Sequence, residues 1–344
     1  MRIVRAAALL LALMCFAAAA FFVYKIYDTR RQDRESADAY GALQDAAVRY
    51  GEPVVRPAPL SADPWEEYTE SETGMEETEV KIAVPGDFPQ VDMEALRNVS
   101  PDILGWLTGP GTEIDYPFAQ GEDNEYYLTH LADGSGNRNG CLFVDCGNAS
   151  DFSDENTIIY GHHMRSGAMF ASLVNYRDQD YYDAHPFLYL LLGETPYRVD
   201  LFSGYDVAAS TVPYSRTFRT KHDFAEWMRD IAAVSDFRTD MELTTDDRIV
   251  TFSTCSYSYD DARYVLHGKL VELDYGAAET APVHTGTRYF SMKTETKQVI
   301  HSAPAAAGGA DYMSSSKRRE LQYETGDCRE TFSSTVYCPG NRSC

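Results

Sequence analysis

Apolar residues fall into three regimes along the chain. From Ala6 to Tyr24 they form one unbroken segment, with Arg2 and Arg5 before it and Lys25, Arg30, Arg31 and Arg34 after it. That segment is long enough to cross a bilayer as a helix. A cleaved signal peptide has similar flanks, and Ala17 to Ala20 supplies small residues of the kind cleavage requires. The run continues through Phe21, Phe22, Val23 and Tyr24, past any such site, which favours an uncleaved anchor. Basic residues on both sides leave the orientation open.

Between Val91 and Tyr275 the pattern changes to short apolar runs punctuated by turn residues. Asp92 to Val99 reads as a short helix with Asp92 as its N-cap. Leu104 to Leu107, a Pro110-Gly111 turn and Ile114 to Ala119 come next, then a helical turn over Asp123 to Leu131. Gly140 to Val144 and Thr157 to Tyr160 predict strands, and Ala168 to Tyr176 a helix. Leu188 to Leu192, Tyr197 to Tyr205 and Val207 to Ser210 read as strands, and His222 to Val234 as an amphipathic helix. Arg248 to Thr254 and Arg263 to Leu273 close the set. Many short strands with few helices predict a mostly β domain, a closed or nearly closed β-barrel.

The third regime has no core-forming periodicity. Residues 276–344 are dominated by Ala, Gly, Ser, Thr and Pro, with a basic patch at Lys317, Arg318 and Arg319 and cysteines at 328, 338 and 344. This reads as a disordered tail, and the cysteine spacings match no zinc-finger pattern. Residues 35–90 read as a linker: a short amphipathic helix over Ser36 to Tyr50, a Pro-bearing stretch, then Ser61 to Glu79 with many acidic residues and no basic one. The expected organisation is therefore an anchor over 1–34, an acidic linker over 35–90, a catalytic domain over 91–275 and a tail over 276–344. The 344-residue chain has a formal net charge of −23, which argues against nucleic acid as a partner.

Candidate chemistry centres on the run Thr251 to Leu270. A β-branched, apolar stretch carries Ser253 and Thr254 up to Cys255, and Arg263 opens the next strand-like run. A cysteine attacks as thiolate, so it needs a base or a positive field nearby, and the oxyanion it creates on a carbonyl needs a donor. Arg263 can supply the donor. The base must come from elsewhere, and the buried strand Thr157 to Gly161 breaks at glycine directly before His162 and His163. Adjacent residues point apart, so only one of the two can face the thiol. Asp260 or Asp261 is a weak candidate to orient that histidine, or to pair with Arg263. His130, His185, His222 and His267 read as structural or surface residues, and no His, Cys or acidic partner has the spacing for a metal at His162 and His163. Among the seven cysteines, Cys15 lies in the apolar segment, and Cys141 and Cys146 read as small buried hydrophobes that would face opposite sides of a continuous strand.

These residues resemble the class B sortases. The resemblance is carried by Thr251, Ser253, Thr254, Cys255 and Arg263, by Tyr160-Gly161-His162-His163-Met164 with its continuation to Leu173, and by the block Leu104 to Leu128. It runs from Val91 to Asp274 in order. Phe252 stands where leucine is commoner, an apolar change of similar volume. The resemblance implies a closed eight-stranded β-barrel with an N-terminal helical extension and a long helix before the penultimate strand, at His222 to Val234. It also implies that His162, directly after the glycine, is the catalytic histidine beside Cys255 and Arg263, and that Asn124, Leu128 and Ser253 line the substrate groove.

The function implied by the resemblance is that of a membrane-anchored transpeptidase outside the cytoplasm, using no metal or organic cofactor. Its partners would be secreted proteins with a C-terminal sorting signal, often NPxTN-like, and an amine of a lipid-linked peptidoglycan precursor. Two alternatives stay open, a catalytically silent binding module on the same barrel and a pilin-polymerising enzyme. Papain-like peptidases place cysteine before histidine, the reverse of the order here, and L,D-transpeptidases precede their cysteine with glycine, where this chain has Thr254.

Overall fold

The computed structural model describes residues 2–51, 82–212 and 214–275. The tail and the central part of the acidic linker lie outside the described residues. A single long helix, α1 (Arg2–Ala47), leads into β1 (Val48–Arg49), and then come β2 (Ile82–Ala83), β3 (Gln90–Val91), α2 (Met93–Val99), β4 (Ile103–Thr108) and β5 (Asp115–Ala119). The chain continues through β6 (Leu142–Val144), β7 (Asn156–Tyr160), α3 (Gln179–Ala184), β8 (Phe187–Leu192) and β9 (Thr195–Ala208), and ends with α4 (Lys221–Ala233), β10 (Arg248–Ser256) and β11 (Ala262–Asp274).

Hydrogen bonding orders the strands β10-β7-β6-β5-β4-β8-β9-β11, and a further pairing of β10 with β11 joins the ends. The result is a closed eight-stranded barrel with β2 added beside β11. Closure removes the exposed strand edges of an open sheet. The core is built from fully buried aromatics, including Trp106, Phe118, Phe143, Phe170 and Phe252, and the strand registers put Trp106 and Phe143 on the face of the barrel wall opposite Phe118. A smaller cluster on the outside packs Phe224, Met228 and Ile231 of α4 against Phe202, Tyr205, Ile249 and Val265. The amphipathic stripe of α4 is what seats it there, immediately before the penultimate strand, where the resemblance places a long helix.

Local sequence accounts for most boundaries. The Asp92 carboxylate accepts from the Ala95 amide at 2.9 Å and caps α2. Thr220 caps α4 in the same way through the Asp223 amide. Three segments differ from expectation. The two strands expected at 197–205 and 207–210 are one 14-residue strand, β9, because its pairing with β11 runs on past Tyr205 through Asp206 and Val207 to Ala208. The helix expected over 168–176 is a 3-10 segment, Phe170–Arg177. The short helix expected over 36–50 is the end of α1 rather than a separate element.

That end of α1 is docked. Its residues 28–47 present partly or fully buried positions every three or four residues, with Ser36, Tyr40 and Ala47 fully buried, whereas the described side chains from Leu9 to Tyr27 are exposed. Tyr40 donates to Gly140 O at 2.6 Å, Asn137 Nδ2 donates to Gln32 O at 2.9 Å, and Asn139 Nδ2 donates to Ser36 Oγ at 2.6 Å. Arg138 pairs with Asp33 at 3.2 Å.

Candidate active site

β10 and β11 pair without interruption from Arg248 opposite Leu270 to Ser256 opposite Ala262, and this register sets Cys255 directly opposite Arg263. Directly opposed residues of an antiparallel pair project from the same face with Cβ atoms about 5 Å apart. On the other side of β10 the parallel strand β7 sets Tyr160 beside Ser253. Two bonds carry the contact one residue further: the Gly161 amide donates to Ser253 O at 3.1 Å, and Thr254 Oγ1 donates to Gly161 O at 2.7 Å. His162 therefore leaves the sheet at a fixed point next to Cys255. Glycine is required at 161 because a Cβ there would lie 2.5 Å from Leu142 Cδ2 and 2.6 Å from Phe170 Cδ2.

His162, Cys255 and Arg263 line one pocket, and so do Asn124, Leu128 and Ser253, so all six residues singled out in the sequence come together. His162 Nε2 lies 2.7 Å from Leu128 O. A carbonyl only accepts, so in the neutral ring Nε2 carries the hydrogen and Nδ1 is the basic nitrogen. Burial pushes the His162 pKa below its ordinary value, the Leu128 carbonyl opposes that shift, and the charge of Arg138 adds to it. The group that orients His162 is thus a backbone carbonyl, whereas Asp261, a candidate for that role in the sequence, pairs with Arg263 at 3.4 Å. Asp261 itself adopts a left-handed backbone, with φ of 60°. The Arg263 side chain is only 5% exposed, and its Nη1 also donates to Ala262 O at 3.2 Å.

His163 turns the other way. Its Nδ1 donates to the backbone carbonyl of Cys255 at 2.9 Å, its ring meets Tyr257 edge-on at 4.8 Å, and Tyr257 OH donates to His163 O at 3.2 Å. It holds the backbone of the cysteine rather than its sulfur. Arg177 secures the β10–β11 turn from beneath, bonding Asp206, Ser256 and Ser258 while lying over the Tyr264 ring.

Cys146 and Cys255 are both disulfide-bonded in this structure, so a thiolate at Cys255 would require its reduced form. The disulfide at Cys146 departs from the small-hydrophobe reading of the sequence. Cys141 is buried and free, and burial pushes its thiol up to about 12. A thiol so disfavoured as thiolate is a poor nucleophile at neutral pH.

Five further residues complete the pocket wall: Phe143, Tyr160, Gly161, Tyr214 and Thr254. The Tyr214 hydroxyl bonds Ser253 Oγ at 2.6 Å, and its ring meets Tyr160 edge-on at 5.5 Å. Neither tyrosine stands out in the sequence as a site residue. Tyr160 carries a usable signal, its position directly before Gly161, whereas Tyr214 sits in a segment without periodicity.

No family profile matches the chain. Individual relatives do. Sortase B of Listeria monocytogenes is 38% identical over 182 residues, which cover 52% of this chain and 74% of that protein. The crystal structure of Clostridium perfringens sortase B superimposes with a TM-score of 0.51 at 31% identity, over 52% of this chain and all of that one. A sortase B solved in complex with a triglycine peptide gives a TM-score of 0.50 at 31% identity, over 53% of this chain and 86% of that one.

Proposed function

Because the chain belongs to the class B sortases, a family of cysteine transpeptidases, we propose that it cuts a C-terminal sorting signal after threonine and transfers the protein to an amine of a peptidoglycan precursor. The observation that carries this reading is the placement of Cys255, Arg263 and His162 around one pocket, with the first two as direct cross-strand partners.

The Cys255 thiolate attacks the threonine carbonyl carbon, and the electron pair of the C=O bond moves to oxygen. Arg263, fixed beside the sulfur, donates hydrogen bonds to that oxyanion. His162, protonated at Nδ1, gives this proton to the departing amine as the C–N bond breaks, leaving a thioester on Cys255. An incoming amine loses a proton to Nδ1 and attacks the thioester. Collapse of the second tetrahedral adduct releases the thiolate and a new amide. Asn124, Leu128 and Ser253 hold the signal peptide along the groove. This sequence needs no metal or organic cofactor. The sortase B solved with triglycine supports a peptide amine as acceptor, and the acceptor's source here is taken to be a lipid-linked cell-wall precursor.

The helix α1 is the proposed anchor. It is apolar enough over its first half to cross a membrane, and the described side chains from Leu9 to Tyr27 are exposed. The barrel, residues 91–275, would then stand on the extracytoplasmic side, with 276–344 following it.

The experiment uses the full chain in detergent with reductant and a panel of quenched peptides bearing NPxTN, LPxTG and PPxTG signals. Cleavage after threonine and a thioester adduct on Cys255, both lost in Cys255→Ala, are expected. A reduced enzyme that alkylates at Cys255 yet cuts no peptide with or without triglycine would overturn the reading in favour of a silent barrel.

A further inference from the structure

Behind the pocket wall lies a carboxylate that no step of the acyl transfer uses. Asp145 comes directly after β6 and is buried, 7% exposed. Four donors converge on its two oxygens. Oδ2 accepts from Asn124 Nδ2 at 3.0 Å and from Tyr160 OH at 2.9 Å. Oδ1 accepts from the Gly147 amide at 2.9 Å and from Arg216 Nη1 at 3.2 Å.

Two of these donors belong to pocket residues, and for one of them the bond decides an orientation. Asn124 Oδ1 accepts from the Cys146 amide at 2.8 Å while its Nδ2 donates to Asp145. An amide N–H can only donate and a carboxylate can only accept, so the Asn124 side chain has one permitted orientation. One Nδ2–H is used by Asp145 and the second remains for a ligand. Tyr160 is held through its hydroxyl, and its ring bears on Tyr214, which in turn bonds Ser253. One buried anion therefore sets two walls of the groove.

We propose that Asp145 is a positioning residue for peptide recognition: it presents the remaining Asn124 amide hydrogen to a carbonyl of the bound signal and fixes the Tyr160 wall against which the peptide lies. The proposal rests on the peptide-transfer reading. Replacement by asparagine preserves shape but not function, because an amide offers one acceptor oxygen where four donors meet. Whichever way it turns, its own NH2 faces either Asn124 and Tyr160 or Gly147 and Arg216.

The test compares wild type, Asp145→Asn, Asn124→Ala and the double variant as full chains, reading kcat and KM for the best signal peptide alongside the rate at which iodoacetamide alkylates Cys255. Expected for Asp145→Asn are a KM raised about tenfold or more, a kcat within about threefold of wild type and an unchanged alkylation rate. The double variant should be no worse than the poorer single one, since Asp145 acts through Asn124. An unchanged KM, a parallel loss of kcat, KM and alkylation rate, or additive effects in the double variant would each overturn the proposal. Should Asp145→Asn not fold, Tyr160→Phe and Asn124→Ala each remove one of the bonds alone, and an unaltered KM in both would overturn it equally. A wild type that cuts no peptide defeats the transfer reading itself. A wild type that cuts, with Asp145→Asn its equal, defeats only the positioning role.

Discussion

Cys255 and Arg263 are direct partners in the β10–β11 ladder, each anchored by the backbone bonds of the other's strand. The proposed nucleophile and oxyanion donor therefore move as one rigid unit. Arg263→Ala should lower kcat for peptide cleavage about 10²- to 10³-fold with little change in KM. Arg263→Lys should recover only part of that loss, because a point charge lacks the guanidinium fork. Steady-state kinetics on the reduced enzyme, with melting temperature as control, checks both.

His162 should titrate below the ordinary histidine value, since burial disfavours its charged form. At neutral pH the imidazolium needed to protonate the leaving amine is then a minority species, and its share falls about tenfold for each pH unit above the pKa. NMR of the disulfide-bonded form should place the His162 midpoint below the ordinary histidine value. His162→Asn should cost about 10²-fold or more in kcat/KM. A midpoint above that of a free histidine would contradict the assignment.

His267 supplies a stability test far from the chemistry. Asn156 Nδ2 donates to Ser215 O, so its Oδ1 accepts from Thr251, and the Thr251 hydroxyl oxygen must in turn accept from His267 Nδ1. The ring is neutral, and burial pushes its pKa down to about 3. A base with a depressed folded-state pKa contributes stability that is complete above the unfolded value and lost as pH falls toward the folded one. The loss should be roughly 1.4 kcal/mol per pH unit between about 6.5 and 3. Chemical unfolding across that window should show this slope in wild type and a shallower one in His267→Asn.

Gly161→Ala should damage both stability and activity. The new methyl group meets Leu142 and Phe170 at 2.5 and 2.6 Å, and overpacking of this kind costs about 1–3 kcal/mol. Relief by backbone movement would displace His162, the next residue. A lower melting temperature together with a lower kcat is expected.

Truncation of α1 should separate its two halves. Deleting the exposed part before Asp28 should leave the melting temperature unchanged. Deletion through Ala47 should lower it, because Tyr40 and Ala47 belong to the core cluster. Tyr40→Phe alone should cost about 1 kcal/mol through its bond to Gly140 O.

Much of the site was legible because its chemistry is local. Cys255 and Arg263 lie on strands joined by a short turn, and a glycine break before His162 marks a strand end. The barrel could be read from the spacing of the strands. The features that escaped depend on distant partners. Asp145 looks like any acid after an apolar run, and only the fold brings it Asn124, Tyr160 and Arg216. The 14-residue length of β9 was hidden because it is set by pairing with β11 rather than by its own residue pattern. Likewise the docked half of α1 is polar enough to pass for a spacer, and its burial depends on the distant loop that carries Asn137 and Asn139.

In the proposed anchored state that helix also determines how the enzyme stands. From Tyr27, the last of the exposed apolar side chains, to Gln32, which is bonded to Asn137, the axis advances only about 8 Å at helical rise. With the apolar half in a bilayer, the barrel is mounted on a short stiff post, its height and heading set by the pitch of one helix. The loop gripped by α1 adjoins Leu128, whose carbonyl holds His162, so the post bears on the segment that orients this histidine. The lipid-linked acceptor proposed above would then meet an entrance of fixed aim rather than one swinging on a leash.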